Sequence, residues 1–215
     1  MTSLPNLVAP GGLSLREKAY EVMKNQIITG KLPPGIALNE RELVADIGVS
    51  RTPIREALNR LEKEHLVVIT PQKGAAVSPI TPKVINDIFQ LREVLEPYVI
   101  GVVTPTFPEA ELRRFQTSFS APPIEECDLL AKIDREFHSA IVYSFGNDYL
   151  NHFMENMYIH NERIRFLSLR LPQRLAESVD EHLTIIEAML TRDPQQAAAA
   201  MRTHLASARY AAFRL

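Results

Sequence analysis

Tryptophan is absent from this 215-residue chain, cysteine occurs once and glycine only eight times. A single cysteine, Cys127, cannot close an internal disulfide, so a small fold held by disulfides is excluded. No charged-then-apolar leader opens the sequence, and with one cysteine this points to a reducing, cytoplasmic setting. Long apolar runs are missing as well. The longest, Tyr98 to Val103, is far short of the ~20 residues that cross a bilayer, so no membrane association is expected. An excess of one charge sign is also lacking, the net charge being −2. What remains is 46% hydrophobic and 23% charged, an ordinary globular composition that excludes collagen-like and wholly disordered chains. A chain of this length buries roughly 70% of its unfolded surface, so a substantial core is expected.

The near-neutral total conceals a direction. Residues 13–80 hold 10 Lys and Arg against 8 Asp and Glu, whereas 81–215 hold 14 against 18. A first part that binds nucleic acid, joined to a second with another kind of partner, is compatible with that split.

Residues 1–12 contain Pro5, Pro10, Gly11 and Gly12 without periodicity and read as a flexible arm. From Ser14 to Thr29 the apolar residues Leu15, Ala19, Val22, Met23 and Ile27 recur at helical steps, and Gly30 follows as a stop. After Pro33-Pro34-Gly35 a short second helix is expected through Leu38–Ala45, with Asn39 as N-cap, until Gly48 ends it. Ser50-Arg51-Thr52-Pro53 then opens a third helix striped by Ile54, Ala57, Leu58 and Leu61. The period next changes to that of strands, Leu66–Thr70 and Ala75–Ser78, around a Pro71–Gly74 turn. This order predicts a winged helix-turn-helix over 13–80. Six further helices are expected, at about 82–103, 108–119, 125–145, 147–170, 172–191 and 193–213. The fold class is therefore mainly α, an N-terminal winged helix-turn-helix followed by an all-α six-helix bundle over 81–215.

Arg51 and Arg55 fall at the start of the third helix, where N–H groups attract phosphate and a guanidinium can grip the guanine edge in the major groove. Arg41 joins them from the second helix, and Lys73-Gly74 at the wing tip can reach a minor groove or backbone. One exposed arginine is usually only a solvated surface residue. Three of them with a lysine around one helix-turn-helix argue for double-stranded DNA. The run Leu38-Asn39-Glu40-Arg41-Glu42-Leu43, then Gly48–Leu58 and the Pro71–Gly74 wing closely resembles the GntR family of bacterial transcription regulators. That resemblance implies operator contacts by Arg41, Arg51, Thr52, Arg55 and Gly74. One departure is His65, where the family commonly has glycine.

In the second part, Asp134 and His138 lie four residues apart, in line with Ile141 and Phe145. His182 falls on the stripe Leu175, Val179, Ile186, and His204 on Ala197, Met201, Ala208. Three histidines and a carboxylate on inward faces of three helices form a candidate set for a divalent metal such as Zn, Ni, Mn or Fe, although one inward histidine is more often a satisfied core residue. Arg92 lies on the stripe Ile85, Ile88, Leu95, Val99 and needs an anion, either an effector carboxylate or Glu96 four residues on.

Leu91–Pro97, Asp134–His138, Gly146-Asn147, Glu181-His182 and Arg202–Leu205 resemble the ligand-binding FCD domain of the FadR-type subgroup, in the shorter branch typified by vanillate-type repressors. In that subgroup the residues matching Asp134, His138, His182 and His204 hold a divalent metal (Zn, Ni or Mn), open to a small carboxylate effector. The resemblance thus implies a metabolite-responsive homodimeric DNA-binding regulator, most simply a repressor. A metal-dependent hydrolase with the same ligands would need a positioned general base, and no His-Glu-x-x-His helix supplies one. A third reading is a pure metal sensor, with the ion itself as signal, which predicts operator binding that depends on free metal with no organic ligand.

Overall fold

The computed structural model describes residues 14–121, 127–168 and 172–214. The arm expected over 1–12 lies outside the described residues, as do the Pro122-Pro123 break and Leu171. The chain divides between Ile80 and Thr81 into two compact units.

The first unit starts with α1 (Leu15–Ile28), whose N-cap Ser14 accepts a hydrogen bond from Glu17 N. A two-residue strand, β1 (Ala37–Leu38), precedes α2 (Glu40–Ile47) and α3 (Arg51–Lys63). The wing is β2 (Val67–Thr70) and β3 (Gly74–Val77). β3 is central, antiparallel to both β2 and β1, with Val67 opposite Val77 and Leu38 opposite Ala75. Leu38 therefore belongs to a third strand rather than to the second helix. A two-residue strand carries no periodic signal, and only its pairing with β3 reveals it. Asn39 caps α2 through Arg41 N, and Gly48 ends it in the left-handed region at φ +73. Gly74, expected in the turn, is instead the first residue of β3, paired with Thr70.

Ala19, Tyr20, Met23 and Ile27 of α1 pack with Ile54, Ala57, Leu58 and Leu61 of α3 and the wing residues Leu66, Val67 and Val77. Each fully buried aliphatic chain contributes about 1.5–3 kcal/mol. The buried stripe of α3 leaves Arg51, Thr52 and Arg55 on the opposite, exposed side.

At the end of α3, His65 N–H donates to Glu62 O and Leu66 N–H to Leu61 O, the paired bonds of a Schellman C-cap. His65 occupies its left-handed position at φ +58. Glycine suits that position, and histidine there costs about 1–2 kcal/mol. His65→Gly is therefore expected to stabilise the unit by about 0.5–1 kcal/mol once the extra freedom of glycine in the unfolded chain is subtracted. Thermal unfolding checks this, with a rise in Tm of about 1–4 °C expected.

The second unit consists of α4 (Pro82–Val103), α5 (Glu109–Ser120), α6 (Cys127–Ser144), α7 (Asp148–Ser168), α8 (Pro172–Leu190) and α9 (Pro194–Ala212). Thr81 and Asp193 cap α4 and α9, each followed by proline in the first turn. α9 packs between α4 and α8, while α6 lies against α7, α4 and α5. The core includes Phe89, Ile100, Leu112, Phe115, Phe137, Ile141, Ile186, Met201 and Leu205. Phe145 stands one residue beyond α6 and is half-buried, its ring edge-on to Tyr98 at 6.0 Å. Among the described residues no helix is long and apolar enough to cross a membrane.

Candidate nucleic-acid interface and metal centre

Arg41 lies on α2, Arg51, Thr52 and Arg55 in the first turns of α3, Lys73 in the turn before β3, and Gly74 at the start of β3; all six are exposed. Ser50 makes no side-chain capping bond to α3, so its first-turn N–H groups remain for other acceptors such as phosphate. Arg55 Nε donates to both Glu40 carboxylate oxygens, at 3.0 and 3.1 Å, which anchors the guanidinium to α2. Gly74, at φ +89, takes a conformation that side-chain-bearing residues rarely adopt.

In the helical unit Asp134 and His138 of α6, His182 of α8 and His204 of α9 are all buried. One ligand atom from each lies within 4.8 Å of all the others. His138 Nε2 stands 3.3 Å from His182 Nε2 and 3.3 Å from Asp134 Oδ1, and His182 Nε2 is 3.5 Å from Asp134 Oδ2. The other ring nitrogens explain this orientation. His182 Nδ1 is 2.6 Å from the Ser178 carbonyl oxygen, His138 Nδ1 is 2.6 Å from Glu96 Oε2, and His204 Nδ1 is 2.8 Å from Glu181 Oε2. A carbonyl or carboxylate oxygen only accepts, so each Nδ1 carries hydrogen, which leaves Nε2 as the nitrogen that each ring can offer to a cation. His204 Nε2 is buried and has no hydrogen-bond partner among the described residues.

Burial holds the His138 imidazole below the usual histidine range. At His204 burial does the same more strongly, reinforced by His182 and His138. Burial alone would raise Asp134, but Arg165, then His182 and His138, outweigh it and hold the carboxyl well below its usual range. Neutral imidazole and ionised carboxylate are the forms that ligate a cation. Converging lone pairs repel one another and the carboxylate unless a cation lies among them, so this donor set fits a divalent ion with bonds of roughly 2.1 Å.

Beside the ligands is a cavity of about 20 Å³, lined by Arg92, Arg165, Arg174, Asn161 and Ser178 among others. Arg165 pairs with Asp134, and Arg174 grips Glu181 through two bonds of 2.8 Å. Arg92 Nε donates to Glu96 at 2.6 Å and its Nη1 to Asn161 Oδ1 at 2.8 Å. Of the two anions open to Arg92, the folded chain thus supplies Glu96. Sequence reasoning did not assign Glu96 or Glu181 to the histidines, nor Arg174 and Asn161 to the cavity. The Arg92–Glu96 spacing was a usable signal; Asn161, 69 residues from Arg92, offered none.

Both units have counterparts among known proteins. Residues 15–77 match the model for bacterial regulatory proteins of the gntR family, and residues 87–207 match that for the FCD domain. The HTH-type transcriptional repressor GlaR of Escherichia coli (strain K12) is 31% identical over 198 residues, covering 86% of this chain and 90% of that protein. An uncharacterized HTH-type regulator in an unstable DNA locus of Streptomyces ambofaciens is also 31% identical, over 90% of this chain and 83% of its own length. The crystal structure of a putative GntR transcriptional regulator from Rhodococcus sp. RHA1 superposes with a TM-score of 0.79 at 19% identity, covering 93% of this chain and 97% of that one, which shows a common fold. Matched in both units and aligned with its relatives over most of their length, the chain belongs to the GntR family, as a DNA-binding transcription regulator of the FCD-containing type and not an enzyme.

Proposed function

We propose that this regulator is a metabolite-responsive repressor. Two copies would read an imperfect palindrome through Arg41, Arg51, Thr52, Arg55, Lys73 and Gly74. Each helical unit would hold a divalent ion, Zn, Ni or Mn, through Asp134, His138, His182 and His204 and bind a small carboxylate beside it. The observation that carries this reading is the convergence of three imidazole nitrogens and a carboxylate on one buried point. Charge supports the carboxylate. Arg92, Arg165 and Arg174 are balanced by Glu96, Asp134 and Glu181, so a divalent ion leaves the cluster positive and favours an anion. Arg92 would serve as an effector anchor by sharing its Nη1 with Asn161. At about 20 Å³ the cavity has room for little more than a water-sized group, so even a short acid would require α7 or α8 to yield. Repression follows by analogy with the relative GlaR, a transcriptional repressor.

Asp134, His138, His182 and His204 would hold the ion, which when bound would supply a Lewis-acidic point for a carboxylate oxygen, and Arg92, Arg165 and Arg174 would orient the anion. Effector binding alters DNA affinity only if the ligand prefers one arrangement of the dimer. A 100-fold preference, about 2.7 kcal/mol, lies within reach of a carboxylate held by a metal and a guanidinium. The deciding experiment is native mass spectrometry for subunit number, ion and retained acid, followed by gel-shift titration of a preformed operator complex with short carboxylates. Release by acid supports the proposal. Release by metal alone, with no acid effect, favours the sensor reading of the same ligands.

One recognition helix reads too few base pairs for genomic specificity, which is the physical reason for a homodimer. Leu91, Val94, Tyr98 and Val102 are spaced three and four residues apart on α4 and are exposed, Val94 by 70%. Such a stripe suits self-association about a twofold axis. Val94→Glu is expected to weaken the dimer about 30-fold or more and leave the fold intact, as sedimentation at micromolar concentration would show.

A further inference from the structure

Two of the three histidines are oriented by the same device, an arginine that clamps a carboxylate which in turn accepts from the ring. On α4 the chain is Arg92, Glu96, His138, with bonds of 2.6 and 2.6 Å. Between α8 and α9 it is Arg174, Glu181, His204, with bonds of 2.8, 2.8 and 2.8 Å. His182 lacks this arrangement and uses the Ser178 carbonyl one turn earlier on its own helix.

The two chains differ in what they constrain. Arg92, Glu96 and His138 are each about 1% exposed, so that pair is part of the core itself. Arg174 and Glu181 lie two turns apart on α8, and among the described residues Glu181 supplies the hydrogen bond that ties the ring of His204, on α9, to α8, beside the ring contact with His182. Without that bond, only packing against His138 and His182 would hold the ring of His204, and the direction of its Nε2 would be less tightly fixed. The charge matters as well as the position. A carboxylate on Nδ1–H raises the electron density at Nε2 and makes it a better donor to a cation, which a neutral acceptor does less well. Arg174, buried and bonded through both terminal nitrogens, limits where that carboxylate can sit.

We propose that Glu181, held by Arg174, is a positioning residue of the metal centre, directing His204 Nε2 at the point where the ligands converge. This rests on the metal reading above. The pair contributes none of the four converging ligand atoms, and its hydrogen bond to the site is the one to His204.

The test titrates the full-length chain with Zn2+, Ni2+ and Mn2+ separately against a competing chelator and follows the ion bound most tightly. Glu181→Ala removes both acceptor and charge and is expected to lower affinity about 10- to 100-fold. Glu181→Gln keeps an oxygen opposite Nδ1–H and loses only the charge, so it is expected to recover part of that loss. The Co2+ visible absorption spectrum should change for Glu181→Ala and stay near wild type for Glu181→Gln. If Glu181→Ala does not fold, the paired variant Arg174→Gln with Glu181→Gln leaves no buried arginine unmatched and is expected to bind with the affinity of Glu181→Gln. Wild-type affinity and spectrum in folded Glu181→Ala, even with a lowered Tm, would overturn the positioning role and leave a purely structural ion pair. A wild-type chain that takes up none of the ions would overturn the metal reading itself.

Discussion

Replacing His204 with alanine is expected to lower metal affinity by more than about 100-fold, beyond the loss caused by removing a residue that only orients a ligand. One of four converging donors disappears, and Glu181 loses the ring it orients. Saturating wild-type protein at about 100 times its Kd should add about 2.7 kcal/mol of stability, or about 5–10 °C in Tm; at the same ion concentration the variant should gain less than about 0.4 kcal/mol. The metal-free variant should unfold below the metal-free wild type, because it removes a buried ring packed on His138 and His182 and its bond to Glu181, a cost that losing the unpartnered Nε2 offsets only in part. His182→Ala should lose the ion too, but that ring also stacks on Phe119 at 4.4 Å, so a further packing cost accompanies it. His204→Ala is the cleaner variant. Metal analysis with effector titration of an operator complex is the measurement. Unchanged metal content and unchanged effector response in both variants would return these histidines to ordinary core residues.

Arg51→Ala should reduce affinity for the specific operator about 5- to 150-fold and relax preference at particular base pairs, because a guanidinium paired with a guanine edge distinguishes bases as well as binding them. Arg51 is the first residue of α3 and exposed, so the substitution should leave stability within about 0.5 kcal/mol of wild type. Lys73→Ala, in the exposed turn of the wing, should weaken all sequences alike and flatten the salt dependence, as expected of a phosphate contact. Gel-shift titrations at fixed salt with specific and scrambled duplexes separate the two. Intact specific affinity in Arg51→Ala would displace α3 as the reading helix.

Much of the architecture was legible from periodicity. The span expected for α4 coincides with Pro82–Val103, and the ends of α5, α8 and α9 differ from expectation by one residue. Those boundaries are marked by proline, glycine and capping residues, which act through local backbone geometry. β1 was not legible, because two residues have no period and Ala37–Leu38 becomes a strand only by pairing with β3. His65 stood out as a departure from glycine, yet the positive φ that makes it costly became visible only in the folded C-cap.

The amino-acid sequence by itself determined which residues lie on inward faces: 3.6 residues per turn put Asp134 and His138 in line and set His182 and His204 on apolar stripes. Tertiary structure alone decided that these faces meet at one point, and which nitrogen each ring presents. It also decided that Arg92 binds Glu96 and that Glu181 of α8 steers His204 of α9. The reason is physical. Helical periodicity is local and gives direction about one axis, whereas convergence, ring orientation and the pairing of buried charges depend on how helices pack against one another, which no spacing along a single helix encodes.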